Sequence, residues 1–180
     1  MDGDLEGALG PHVPALRRFA RALLRDADAA DDLVQDCLLR AISRWHLHRE
    51  DADTRAWLFA ILYNLFVSGR RAQDRRGGPA LRIDDRNSVV PLVDGVARAE
   101  DRLAWRDVVA GLGTLSDEQR AVLLLVGLED LSYEVAARVI GVPVGTVMSR
   151  LSRARERLRR HLEGGAERPG VGEPQCGRAR

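Results

Sequence analysis

The stretch LSYEVAARVIGVPVGTVMSRLSRARERLRRHL, Leu131 to Leu162, reads as a short helix, a sharp turn at Gly141-Val142-Pro143 and a longer helix loaded with arginine. Ser132 is placed to cap the first helix, Gly141 can take the positive φ that closes it, and Pro143 suits the first position of the second. Together they draw a helix-turn-helix, a unit built to lie in a DNA groove. In the second helix Val147, Leu151, Ala154, Leu158 and Leu162 recur at spacings of three and four and form the stripe expected to be buried. At about 100° per residue, Ser149, Ser152 and Arg153 fall opposite that stripe, with Thr146, Arg150 and Arg157 on one flank and Met148 and Arg159 on the other. From Pro143 to Arg160 there are six arginines and one acid, Glu156. Hydroxyls and guanidinium forks in such a pattern can bond phosphate oxygens and base edges. A solvated, arginine-rich final helix would explain the charge alone, but not the caps, the turn and the serine-arginine face together.

A chain of 180 residues with 45% hydrophobic residues can hold one ordinary domain or two small ones, and 4% aromatics makes the cores mostly aliphatic. The net charge of +1 hides segregation: acids crowd Asp26 to Asp36, while arginines crowd Arg70 to Arg76 and Arg150 to Arg160. A bipolar chain can offer one face to nucleic acid and another to a basic partner. All 28 basic residues are arginine, which coding bias in a GC-rich genome explains more simply than phosphate recognition does. Cys37 and Cys176 sit far apart, one in an apolar helical pattern and one in a polar tail, so a reducing compartment without disulfides is expected. His46 and His48 form the one close histidine pair and have no further ligand at a metal-site spacing, so neither metal nor cofactor is expected. No run has the length of a membrane helix and no export signal opens the chain, which points to the cytoplasm.

Upstream, Pro14 to Arg76 reads as three helices. About Pro14 to Arg25 carries Leu16, Phe19, Ala20, Leu23 and Leu24 as an apolar stripe. Asp28 to Arg44 turns Leu33, Val34, Cys37, Leu38, Ala41 and Ile42 inward, and Asp32, Gln35, Asp36 and Leu39 outward. A leucine ringed by acids and an amide suits a basic helical partner, and a merely solvated face is the alternative. About Thr54 to Arg71, capped by Asp53 or Thr54, places Leu58, Ile61, Leu62 and Leu65 in the core. Phe59, Tyr63, Phe66 and Arg70 form a second stripe beside Asn64. Phe59 and Phe66 read better as a widened core, whereas Tyr63 and Asn64 have polar ends that need water or a partner, and aromatics near a basic terminus can stack unpaired bases.

Gly77-Gly78-Pro79 breaks the helix, and the aperiodic residues that follow read as a linker, mobile at least in part. Helix resumes near Val96 and runs to Leu112, and Ser116 with Gln119 fits a capping box ahead of the apolar run Ala121 to Val126. The expected fold is all-α: two small helical domains, 1–76 and 96–163, joined by a flexible linker, 77–95, and followed by a disordered tail, 164–180.

Both blocks, in this order, resemble a bacterial RNA polymerase sigma factor of the extracytoplasmic-function (ECF) group of the sigma-70 family. Asp31-Asp32-Leu33-Val34-Gln35-Asp36 is similar to that family's polymerase-clamp motif, and Arg55-Ala56-Trp57-Leu58 through Asn64-Leu65 to its promoter-melting helix. Gly145-Thr146-Val147-Met148-Ser149-Arg150-Leu151 with Arg153-Ala154-Arg155 is similar to its second DNA-reading helix. The resemblance implies a specificity subunit, not an enzyme, that directs promoter-specific initiation in a stress or envelope response. It implies docking of Asp32, Gln35, Asp36 and Leu39 on the β′ clamp coiled coil of core RNA polymerase, with the β flap as a second contact. It implies a minus-10 contact through Trp57, Tyr63, Asn64, Arg70, Arg71 and the loop Trp45 to Asp53, which would capture a flipped base. It implies a minus-35 contact through Thr146, Ser149, Arg150, Ser152, Arg153 and Arg157, and an anti-sigma factor as a further partner, with no membrane insertion. Met148 stands where the family commonly has a basic residue, and Tyr63 is unusual beside the asparagine. A stand-alone helix-turn-helix regulator would leave the acid-leucine face unexplained, and an enzyme built on Cys37 with His46 or His48 would lack an orienting acid.

Overall fold

The computed structural model describes residues 2–48, 52–75 and 99–165. Within them run eight α-helices: α1 (Asp2–Leu9), α2 (Val13–Leu24), α3 (Ala27–Ser43), α4 (Thr54–Arg75), α5 (Ala99–Gly113), α6 (Asp117–Gly127), α7 (Tyr133–Ile140) and α8 (Val144–Gly165). Single 3₁₀ turns at Gly10–His12 and Trp45–Leu47 complete the helical elements. No strand occurs among the described residues. The expected linker, 77–95, and nearly all of the expected tail lie outside them.

Local chemistry sets the helix ends. Asp26 caps α3 by accepting from the Ala29 N–H at 3.0 Å, and Asp53 caps α4 by accepting from the Ala56 N–H at 3.0 Å. Ser116 and Gln119 form the reciprocal capping box of α6. Ser132 accepts from the Val135 N–H at 3.2 Å to start α7, and Gly141, at φ 76°, ends it. The Pro143 carbonyl accepts from both Thr146 and Val147, so the proline serves as the N-cap of α8, one position earlier than expected. The sequence assigned no helix before Pro14, whereas α1 occupies Asp2–Leu9. With glycines at 3 and 7, that segment carries little helical periodicity to read.

In the N-terminal half α2, α3 and α4 pack together, with the Phe19 and Phe59 rings edge-to-face at 5.3 Å. Leu16, Phe19, Leu23, Val34, Cys37, Leu58 and Leu62 are buried there. In the C-terminal half α8 lays Val147, Leu151 and Ala154 against α5, α6 and α7. Ile42, expected inward, is 51% exposed, because it sits in the last turn of α3.

The two halves also pack on each other, which their separate hydrophobic patterns did not announce. Helix α2 lies against α6, and α4 against α7, and their buried residues form one continuous core. Arg120 of α6 is buried at this join and donates to the Leu23 carbonyl at the end of α2 (2.8 Å), to the Leu112 carbonyl at the end of α5 (2.9 Å) and to the Leu115 carbonyl in the connection that follows it (3.0 Å). Helix C-termini leave carbonyls without intrahelical donors, and one guanidinium serves two such ends. Burial pushes the Arg120 pKa down from its ordinary value, with Asp117 acting in the opposite direction. No helix among the described residues is long and apolar enough to cross a membrane.

Candidate nucleic-acid and partner interface

On α3 the buried side, Ala30, Val34, Cys37 and Ala41, forces the opposite positions into solvent. Asp32, Gln35, Asp36 and Leu39 are all exposed, Leu39 to 65%. The acids of this helix divide by function: Asp31 turns toward α2 and meets Arg21 at 3.2 Å and Arg17 at 3.9 Å. Among the described residues Asp32 and Asp36 meet no basic side chain, so their charge is available to an outside partner. Beside them runs a groove between α3 and α4, lined by Leu24, Leu33, Leu65 and Phe66 and rimmed by Asp32 and Asp36.

At the start of α4, Trp57 joins an aromatic cluster with the segment before it. The Trp45 and His48 rings stack at 4.7 Å and 2° from parallel, and Trp57 meets His48 at 4.7 Å and Trp45 at 6.0 Å, both edge-on. Thr54 Oγ1 shares a hydrogen bond with His48 Nε2 at 3.3 Å. His48 is therefore a packing element that ties down one side of the Trp45 to Asp53 loop. Of that loop, residues 49–51 lie outside the described residues.

Farther along α4, Asn64 and Arg71 are exposed, while Tyr63, Phe59 and Phe66 are buried. For the two phenylalanines the core reading holds. Tyr63 is covered more than its phenol suggested, because the C-terminal half closes over it: one cleft is lined by Tyr63, Asn64 and Arg71 together with Gly141, Val142 and Arg150. Burial, with Glu118 nearby, raises the Tyr63 pKa above its ordinary value. Arg70 lies 6.0 Å over the Phe66 ring and donates to Asp117 at 2.7 Å.

On α8, Ser149, Ser152, Arg153 and Arg157 are exposed and Thr146 is half-buried. The Ser149 hydroxyl donates to the Thr146 carbonyl at 3.0 Å. Glu156 neutralises the outer arginines, meeting Arg159 at 2.7 Å and Arg160 at 3.1 Å. Arg150 meets Glu118 at 2.7 Å. Among the described residues Arg153, Arg155 and Arg157 have no acidic partner, which leaves them the cations most open to an external anion. Met148 is 52% exposed on the adjoining surface.

Sequence reasoning missed the charged join between the halves. Glu129, 1% exposed, takes a two-pronged contact from Arg18 (Nε to Oε1 2.9 Å, Nη2 to Oε2 2.8 Å). Arg55 adds bonds from Nη2 to Oε2 at 3.0 Å and to the Glu129 carbonyl at 2.7 Å. The signal available was slight: two acids, Glu129 and Asp130, between Leu128 and Leu131 in the turn that precedes α7. Cys37 is also fixed by packing, since its thiol donates to the Leu58 carbonyl at 3.5 Å and burial pushes its pKa up to about 12. A thiol so held has almost no nucleophilic thiolate at neutral pH, which removes the basis for a Cys37-centred enzyme.

An all-helical chain with an exposed acid-and-leucine face on α3 and an arginine-bearing helix-turn-helix at α7 and α8 has the form of a DNA-binding factor with a separate docking face. Two family models match it in that order: the Sigma2 domain of PhyR over residues 9–63, and Sigma-70, region 4, over residues 106–158. Among curated proteins the chain is 40% identical over 147 residues to the ECF RNA polymerase sigma factor EcfG of Rhodopseudomonas palustris, covering 81% of this chain and 78% of that protein. It is 36% identical over 151 residues to the ECF RNA polymerase sigma factor SigM of Mycobacterium tuberculosis, covering 84% of this chain and 73% of the other. Among solved structures, the sigma factor RpoE of Bartonella quintana in complex with the anti-sigma factor NepR aligns with TM-score 0.72 at 36% identity, over 89% of this chain and 97% of that one. CnrH in complex with the cytosolic domain of CnrY aligns with TM-score 0.67 at 26% identity, over 91% and 90%. The chain belongs to the ECF RNA polymerase sigma factors. Membership makes it a transcription initiation factor rather than an enzyme.

Proposed function

We propose that this chain binds core RNA polymerase in the cytoplasm, brings it to a defined set of promoters and helps to hold the melted strand, in a stress or envelope response. The observation that carries the reading is the exposed face of Asp32, Gln35, Asp36 and Leu39, which no basic group of the described chain neutralises. A DNA-binding regulator acting alone has no use for such a face. A basic coiled coil of the β′ clamp is complementary to it, and the β flap is the second polymerase contact. Trp57, Tyr63, Asn64, Arg70 and Arg71 serve the minus-10 element, and Thr146, Ser149, Arg150, Ser152, Arg153 and Arg157 the minus-35 element.

In this reading residues 1–76 and 96–163 are the two functional domains, 77–95 is the join and 164–180 is a tail. Each domain alone binds DNA weakly, and both docked on one scaffold gain from high effective concentration. The anti-sigma factor NepR bound to the Bartonella quintana neighbour supports an anti-sigma factor as a third partner. Run-off transcription with purified core enzyme tests the proposal: template-specific transcript appears only when this chain is added. A transcript that never depends on the chain ends it.

A further inference from the structure

The first turns of α8 expose one large apolar side chain, Met148, which is 52% open to solvent. Its neighbours are otherwise engaged. Val147 is fully buried against the core, the Ser149 hydroxyl donates to the Thr146 carbonyl at 3.0 Å, and Arg150 is held by Glu118 at 2.7 Å. Met148 also lines an open hollow between the start of α7 and the flank of α8, with Tyr133 and Leu151 as its other apolar walls and Ser152 and Arg155 among its polar ones. Arg155 follows Met148 on the same flank two helical turns on, roughly 10 Å away. It is exposed and meets no acid among the described residues. The hollow is therefore apolar beside the head of the DNA-reading helix and cationic farther along.

We propose that Met148 reads a thymine of the minus-35 element through its C5 methyl group, while Arg155 holds a nearby backbone phosphate. The proposal rests on the reading of α8 as the minus-35 helix and adds two residues to those already assigned to it. In a helix-turn-helix the first turns of the second helix reach the base edges. A thioether has no N–H or O–H to donate and accepts only weakly, so it cannot read the edges that serine and arginine read. The major groove offers it one apolar partner, the thymine methyl, which marks an A·T or T·A pair without a hydrogen bond. An unbranched, polarisable side chain can follow that methyl to either strand. A single apolar side chain on a surface is ordinary and by itself says nothing. Here the place at the helix head, the apolar walls and the unpaired cation on the same flank coincide. Removing one methyl group from water against the thioether favours thymine about fourfold over a base that lacks it.

The test uses the full chain with core polymerase, which selects a minus-35 element from a randomised template. Each thymine of the selected element, on either strand, is then replaced in turn by uracil, which keeps the base pairing and removes only the methyl. With subsaturating template, uracil at one position lowers the run-off transcript about fourfold for the parent. Met148→Gln loses that sensitivity, and Met148→Leu, which keeps an apolar end, retains it. Both variants fold, because the side chain is exposed. Arg155→Ala weakens binding to all base variants alike and lowers the slope of log affinity against log salt by about 1; an unchanged slope removes the phosphate contact. Indifference of the parent to uracil at every position, an undiminished uracil effect in Met148→Gln, or a selected element without an A·T pair overturns the Met148 assignment. Arg153→Ala separates this idea from the reading beneath it. A base profile shifted by Arg153→Ala, with no uracil effect in the parent, removes Met148 and leaves α8 as the minus-35 helix. Absence of any template-specific transcript removes the sigma reading and Met148 with it.

Discussion

Replacing Arg120 with methionine isolates the contribution of one buried guanidinium. The side chains are similar in length, so the change removes donors more than volume. Three carbonyls lose a partner: Leu23, Leu112 and Leu115. Leu112 keeps a second bond, from the Leu115 N–H at 3.3 Å, so two carbonyls are orphaned. Each unsatisfied buried acceptor costs about 1–3 kcal/mol, and relief of the desolvated cation returns part of that sum. The net expectation is a loss of about 3 kcal/mol, a large fraction of the roughly 5–15 kcal/mol by which domains are stable. For a chain of this size the melting temperature falls by about 10 °C. Urea unfolding followed by circular dichroism measures the difference, and an unchanged slope with denaturant assigns it to the native state. Arg120→Lys recovers a part, because one ammonium cannot reach both helix ends in the same geometry. A loss below about 1 kcal/mol for Arg120→Met would refute the reasoning, since it would mean that water satisfies these carbonyls as well as the arginine does.

Asp36→Arg leaves the helix content unchanged, because the residue is exposed on α3, and abolishes co-purification with core polymerase; normal co-purification sinks the proposed docking face. Arg153→Ala costs about 1–3 kcal/mol of discrimination at one base pair of the minus-35 element, read as a flattened profile across promoter variants in run-off transcription. Cys37, with a thiol pKa raised from 9.0 to about 12, keeps its proton in the folded chain at a pH where the unfolded chain has lost it. Its contribution is fully present below pH 9 and declines as pH rises toward 12. In a Cys176→Ser chain the remaining thiol therefore resists alkylation until urea unfolds the protein, and Cys37→Ala removes that part of the alkaline loss of stability. Rapid alkylation of the native chain would contradict the burial.

The helix-turn-helix was legible because each of its features is local. A serine cap, a glycine at positive φ and an apolar repeat within α8 need no knowledge of the rest of the chain. The outward face of α3 was legible for the same reason: once Val34, Cys37 and Ala41 face the core, the positions of Asp32, Asp36 and Leu39 follow. The packing of the halves was not legible, because its residues carry the wrong polarity for a core. Arg18, Arg55 and Arg120 in their helices and Glu129 in its turn read as solvent-facing, and only long-range bonding makes the burial of Arg120 and Glu129 tolerable. Tyr63 belongs to the same case. Its stripe with Phe59 and Phe66 is a second buried face whose cover comes from a helix far along the chain.

The near-neutral net charge acquires a meaning once the pairs are located. Asp31 meets Arg17 and Arg21, Glu129 meets Arg18 and Arg55, and Asp117 and Glu118 meet Arg70 and Arg150. Among the described residues, the charges these pairs leave over include Asp32 and Asp36 on α3 and Arg153, Arg155 and Arg157 on the exposed side of α8. A uniformly basic chain would bind DNA anywhere and repel a basic docking site on its partner. Internal neutralisation at the join lessens both effects, because the arginines there face acids of the same chain. The charges that would cause indiscriminate binding are thus held in pairs, while the unpaired remainders define two surfaces of opposite sign on different helices.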